Sequence, residues 1–188
     1  MTLLQLLEPS THLHESWLAS NREWNGEDQQ GASVFFAERF GWELEKPEDF
    51  ASWVRLLKDL SDDSILPPQG FVNQSTLWLE REGEYLGAVS LRHALINESL
   101  KQVGGHIGYG LRPSARGAGL AKRALAEMLE ISRQRGLEEV LLTCADSNIA
   151  SARTIEACGG VLERVCPVAE IAEPFGLQEP QRRYWIKL

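Results

Sequence analysis

The stretch from residue 105 to residue 145 constrains the fold more than any other. A short apolar segment, 106–111, runs into the glycine-bearing loop Arg116-Gly117-Ala118-Gly119. Over 118–135 the apolar residues Ala121, Ala124, Leu125, Met128 and Leu129 then recur at helical spacing, with Lys122, Arg123, Glu127, Glu130 and Arg133 on the opposite side. Gly136 is placed to end that helix. Val140-Leu141-Leu142-Thr143-Cys144 follows as a nearly continuous apolar strand of the kind buried on both faces. A strand, a long amphipathic helix and a doubly buried strand in succession require a sheet covered by helices, so the chain reads as an α/β protein.

The flanking segments extend this pattern. Residues 2–8 read as a short strand, and Ser10-Thr11 offers a cap for a helix over 11–24 with Leu13, Trp17 and Leu18 on its apolar side. A polar break at 25–31 and a short helix within 32–42 come next, and Pro47 opens a helix whose face is Phe50, Trp53, Val54, Leu57 and Leu60. From residue 75 the period changes: 76–80 and 85–91 flank a turn at 81–84, and His106 to Leu111 adds a third strand, which together predict an antiparallel meander. After the buried strand, a helix over 149–158 stops at Gly159-Gly160, and two strands, 161–165 and 183–188, are joined by a loop with three prolines.

Composition narrows the class. A chain of 188 residues with 43% hydrophobic residues and six Trp buries an ample core as one compact domain. A net charge of -8 leaves no footprint for a phosphate backbone or an anionic bilayer, so neither nucleic acid nor a membrane is expected as partner. Cys144, Cys158 and Cys166 are odd in number and form no CxxC pair, which argues against disulfides and zinc and for a reducing interior. The start of the chain lacks a basic region followed by an apolar core, and no apolar run approaches the roughly 20 residues of a membrane span. A cytoplasmic location is expected.

The strand, glycine loop and helix start between Leu111 and Lys122 aim backbone N–H groups and the positive end of a helix dipole at one point, where an anion is favoured. Gly117 and Gly119 let a bulky phosphate approach the main chain, and Arg116, Lys122 and Arg123 add charge at the rim. The loop is not a Walker A motif, because no Lys-Ser or Lys-Thr follows its glycines, and it fails the GxGxxG fingerprint at the last glycine. A nucleotide-binding module on the same loop stays as a weaker alternative.

Arg116-Gly117-Ala118-Gly119-Leu120-Ala121 matches (Gln/Arg)-x-x-Gly-x-(Gly/Ala), and Asn148-Ile149-Ala150-Ser151 resembles an Asn-x-x-Ser helix start. In that order, after a meander and around a buried strand, these motifs resemble the GNAT family of N-acetyltransferases. Residues 105–114, 142–144 and 183–186 are similar to a bacterial subgroup of that family. The resemblance implies a mixed, largely antiparallel central sheet with a splayed parallel strand pair and helices on both faces. It divides the single domain into a helical acceptor side (1–74), an acetyl-CoA-binding core (75–165) and a C-terminal strand region (166–188). The implied activity is transfer of an acetyl group from acetyl-CoA, without metal, to a primary amine of a small molecule or peptide.

By the same resemblance Tyr109, Gly110 and Leu111 flank the pantetheine arm, Arg116, Gly117, Ala118, Gly119, Leu120, Ala121 and Lys122 hold the pyrophosphate, and Asn148 meets the pantetheine from the other side. Many relatives carry a Tyr seven residues after the Asn as acid for the departing thiol, and Ile155 stands there instead. Tyr109, His93, His106, Cys158 or water are then the substitutes, while His93, His106 and Glu98 are the candidate bases. The missing acid also motivates a non-catalytic CoA-sensing or interaction module as the alternative. His12 and His14 are expected on the surface, and a homodimer is a further possibility.

Overall fold

Two hydrophobic clusters, one on each face of an antiparallel sheet, organise the chain. The computed structural model describes residues 4–188. Its first sheet takes the order β1 (Gln5–Leu7), β2 (Gln74–Arg81), β3 (Glu84–Arg92), β4 (Ile107–Leu111), with every neighbouring pair antiparallel. The β2–β3 hairpin turns through Glu82 and Gly83, both at positive φ (57° and 79°), a backbone twist that suits a two-residue hairpin. The second sheet has the order β5 (Glu139–Ala145), β7 (Gln181–Lys187), β6 (Val161–Cys166), again antiparallel throughout.

Helices cover both faces. α4 (Leu120–Gln134) and α5 (Ile149–Ala157) bury Leu125, Met128 and Ile155 against Leu79, Val89, Ile107, Val140 and Leu142. α1 (His14–Trp24), α2 (Phe35–Phe40) and α3 (Pro47–Asp59) pack on the other side, where Trp17, Phe36, Phe50 and Trp53 meet Trp78 and Tyr85 of the sheet. Ring centroids of Trp53 and Trp78 lie 5.6 Å apart, and Trp78 meets Tyr85 edge-on at 5.2 Å, so this second core is largely aromatic.

The two sheets meet between β4 and β5. His106 N–H donates to the Leu141 carbonyl at 2.7 Å, and Leu141 N–H donates back to His106 Nδ1 at 2.9 Å. Gly105 makes the contact possible: its φ is +66°, and a Cβ there would lie 2.6 Å from the Leu141 carbonyl oxygen. Beyond that point no ladder joins β4 to β5, and the two strands belong to separate sheets.

Several expectations need adjustment. The predicted strand over 2–8 is observed over 5–7, and residues 2 and 3 lie outside the described residues. The helix expected over 11–24 begins as a 3₁₀ turn, Thr11–Leu13, and Ser10 does not cap it, because its hydroxyl bonds His12 Nδ1 at 2.6 Å. His12 is exposed as expected, whereas His14 is half-buried: its Nε2–H donates to the Leu44 carbonyl and its ring stacks on Phe50 at 4.1 Å. The long helix starts at Leu120, two residues late, since Gly119 is left-handed (φ +72°). The three-proline loop contains α6 (Val168–Phe175), whose apolar residues Val168, Ile171, Ala172 and Phe175 recur at helical spacing although Pro174 stands in the last turn.

Candidate active site

Where β4 and β5 part, a cleft of about 490 Å³ opens, walled by β4 at Tyr109 to Leu111, by the loop at Arg116, Gly117 and Gly119, and by the start of α4. Asn148, Ala150, Ser151 and Thr154 close it from the α5 side. Of the residues the sequence assigned to the cofactor, all but Ala118 line this cleft.

The ladder decides which β4 groups face the opening. Arg92 N–H donates to the His106 carbonyl and Arg112 N–H to the Leu86 carbonyl, so the even-numbered backbone groups of β4 point toward β3. By strand alternation the N–H groups of Tyr109 and Leu111 point toward the cleft. The Leu111 carbonyl already accepts from Arg116 Nε at 3.2 Å.

At the loop, Gly117 (φ +83°) and Gly119 (φ +72°) hold conformations that L side chains rarely adopt, and a Cβ at either would meet no protein atom within 4 Å. The space above them is open. α4 has no side-chain cap, and Arg123 N–H to the Gly119 carbonyl at 3.2 Å opens its ladder, so the amides of Leu120, Ala121 and Lys122 lack helical acceptors. Three donors and the helix dipole therefore converge at the cleft wall. Arg116 lies with its guanidinium 4.8 Å above the Trp24 ring. Arg123, expected at the rim, instead turns away and donates to the Leu4 carbonyl.

Across the cleft, Asn148 caps α5 by accepting from Ser151 N–H at 3.0 Å. The Tyr109 hydroxyl donates to the Ser151 carbonyl at 3.2 Å and meets the Ser151 hydroxyl at 2.9 Å. Burial pushes the Tyr109 pKa up to about 12, so the hydroxyl is protonated at neutral pH. Ile155 is fully buried, and a Cβ on Gly160 would lie 2.4 Å from its side chain, so this position belongs to the core.

The two histidines are separated. His106 sits at the closed end of the splayed pair, where burial, aided by the Arg92 charge, lowers its pKa to about 4. His93 lies outside the cleft lining, hydrogen-bonded to Asp63 and Ser75. Glu98 is exposed and pairs with Lys101. Cys158 is half-buried, its Sγ 3.7 Å from the Lys122 carbonyl.

Sequence reasoning missed one wall. Trp24, Glu27, Asp28 and Gln30, from the end of α1 and the following loop, also line the cleft. That loop seats on β4 backbone to backbone: a Cβ on Gly31 would lie 2.6 Å from Tyr109 Cα, and one on Gly110 would lie 2.5 Å from the Gln30 carbonyl. The signal available was the pair Gly108 and Gly110 inside a strand, which marks a close backbone approach. Among the described residues no His/Cys/Asp/Glu group is arranged to hold a metal, and no helix is long and apolar enough to cross a membrane.

No curated protein sequence matches the chain. Among solved structures it is similar to MccE, a microcin self-immunity acetyltransferase in complex with acetyl-CoA and AMP, at 21% identity and a TM-score of 0.68, over 98% of this chain and 92% of that one. It is also similar to RimL, a ribosomal L7/L12 alpha-N-protein acetyltransferase in complex with coenzyme A, at 17% identity and a TM-score of 0.68, over 100% and 96% of the two chains. An acetyltransferase from Salmonella typhimurium that modifies the N-terminal serine of L7/L12 shares 16% identity and a TM-score of 0.65, over 100% and 96%. These likenesses establish the fold. The acetyltransferase (GNAT) domain family matches residues 8–161, and the chain belongs to that family.

Proposed function

We propose that the protein moves an acetyl group from acetyl-CoA to a primary amine by direct attack on the thioester, with the cleft between β4 and β5 as the cofactor site. The observation that carries this reading is the convergence of three separate segments, 109–111, 116–122 and 148–154, on one opening. The residues suit the cofactor: open space above Gly117 and Gly119, beside three uncapped amides, fits a pyrophosphate, and the outward N–H groups of Tyr109 and Leu111 fit the amide-bearing arm. When bound, acetyl-CoA supplies an activated acyl carbonyl.

The remaining work falls to the chain. A cleft-facing N–H of β4 stabilises negative charge as it develops on the carbonyl oxygen. Tyr109 holds a proton in the cleft and is the best placed of the candidates to release it to the departing sulfur. His106 accepts the Leu141 N–H through Nδ1, which leaves it a bridge between the sheets. Glu27 lies 3.9 Å from the Arg116 guanidinium, so this carboxylate stands at the pyrophosphate end of the cleft. The RimL-type neighbours, which act on a protein N-terminus, support a peptide α-amine as one acceptor class.

Calorimetry with acetyl-CoA, followed by thiol release against a panel of small amines and peptides, tests the proposal. Binding with amine-dependent thiol release is expected. Tight binding without amine-dependent release would favour the CoA-sensing module, and absence of binding would overturn both.

A further inference from the structure

Away from the cleft, Ser75, His93 and Asp63 form a continuous hydrogen-bonded chain. Ser75 Oγ lies 2.9 Å from His93 Nε2, and His93 Nδ1 lies 2.5 Å from Asp63 Oδ1. The second carboxylate oxygen accepts from Arg135 Nη1 at 2.8 Å, while Arg135 Nη2 donates to the Ser61 carbonyl, so the carboxylate is held in place by the residue that caps the C-terminus of α4. With the Nδ1 proton committed to Asp63, Nε2 is left as the acceptor, and the Ser75 hydroxyl donates to it. The imidazole side chain is 10% exposed. Burial lowers its pKa against the opposing pull of Asp63, which favours the neutral ring.

Ser75 lines a separate cavity of about 380 Å³, bounded by the C-terminal ends of α3 and α4 and by the first half of β2. Leu57, Leu77 and Ile131 give it apolar walls, and Lys58 stands at its side. β1 pairs with β2 only from Trp78 onward, which leaves the edge of β2 open beside the cavity. Gln74 N–H uses that edge to reach the Leu60 carbonyl, so by alternation the Thr76 N–H, next in the chain after Ser75, faces the same side. A backbone donor adjacent to the serine is the element that an acyl-transfer centre needs besides a base.

We propose that Ser75, His93 and Asp63 are a second reactive centre, in which a serine nucleophile, its general base and an orienting carboxylate hydrolyse short-chain acyl esters or thioesters admitted to this cavity. Ser75 Oγ attacks the acyl carbon as its proton passes to His93 Nε2, and the bond to the alcohol or thiol breaks as the leaving group takes that proton. Water then attacks the acyl-serine, gives its proton to Nε2, and releases the carboxylic acid with Ser75 restored. The Thr76 amide faces the developing oxyanion. The inference stands independently of acetyl transfer in the main cleft.

The test treats the full chain with a fluorophosphonate probe, maps the adduct by mass spectrometry, and follows hydrolysis of p-nitrophenyl acetate. One adduct on Ser75 is expected, with labelling and hydrolysis lost in Ser75→Ala and slowed at least about 10-fold in His93→Gln and Asp63→Asn. Ser75→Ala should keep the wild-type thermal unfolding and acetyl-CoA affinity, since Ser75 lies outside the main cleft, and this separates lost chemistry from lost fold. No adduct on Ser75 in folded protein would overturn the proposal. So would labelling indifferent to His93→Gln, which would make the three residues a structural tie between β2, β3 and the loop after α3.

Discussion

Gly119 combines a left-handed backbone with an empty space where a side chain would project, beside the uncapped amides of α4. Replacing it with Val strains the backbone and fills the space over those amides, so acetyl-CoA affinity measured by calorimetry should fall by about 10-fold or more. Tyr109→Phe keeps the ring in place and removes only the hydroxyl bonded to Ser151. If that hydroxyl protonates the departing sulfur, kcat should drop by about 100-fold with little change in the KM for acetyl-CoA. Ile155→Tyr, by contrast, places a larger group in a fully buried site against Gly160. Stability should fall by about 1–3 kcal/mol in denaturant titration, without any gain in turnover.

At the level of elements, the cleft depends on how α1 and its following loop dock on the second half of the chain. Glu23 near the end of α1 bonds Arg112 Nε at 2.6 Å and Ser114 N–H at 3.0 Å, while Glu84 takes the other side of Arg112 at 2.7 Å. Partial burial alone would raise the Glu23 pKa, but the hydrogen bonds from Ser114 and Arg112 outweigh it and hold the carboxyl below its ordinary value. A depressed carboxylate stabilises the fold above its unfolded pKa and loses that contribution as the pH falls through the folded one. Glu23→Gln should therefore cost stability at neutral pH, and its difference from the wild type should shrink in acid, as pH-dependent unfolding would record. Gly31→Ala drives a Cβ into the backbone of Tyr109, Ala88 and Gly108 at φ +80°, so the loop must lift from β4. A loss of at least about 1–3 kcal/mol is expected in thermal or denaturant unfolding, on the scale of overpacked sites.

Over the whole molecule, the junction of the two sheets rests on His106. Its folded pKa of about 4 lies below the unfolded value near 6.5, so the unfolded chain takes up the proton first as the pH falls. Stability from this group is complete above about pH 6.5 and should decline by about 3 kcal/mol toward pH 4, because protonated Nδ1 can no longer accept the Leu141 N–H. In His106→Gln, whose amide oxygen still accepts, that slope should flatten. Much of this architecture was legible along the chain. The helical stripe 118–135, the doubly buried strand 140–144 and the glycine loop between them are signals carried by residues a few positions apart, and the helix and strand that formed there follow them closely. α6 was hidden because prolines masked a two-turn amphipathic stripe. The membership of the cleft was less legible, since Glu23 reaches Arg112 across the chain, Trp24 comes to lie beneath Arg116, and His93 leaves its expected place for Asp63 and Ser75. The amino-acid sequence by itself determined the elements other than α6, their order and the loop that suits a pyrophosphate, because backbone conformation and local periodicity are decided by near neighbours. Only the tertiary structure decided which side chains share a cleft and which form a second cluster, because those contacts depend on how distant segments pack, and packing leaves no fixed spacing in the chain.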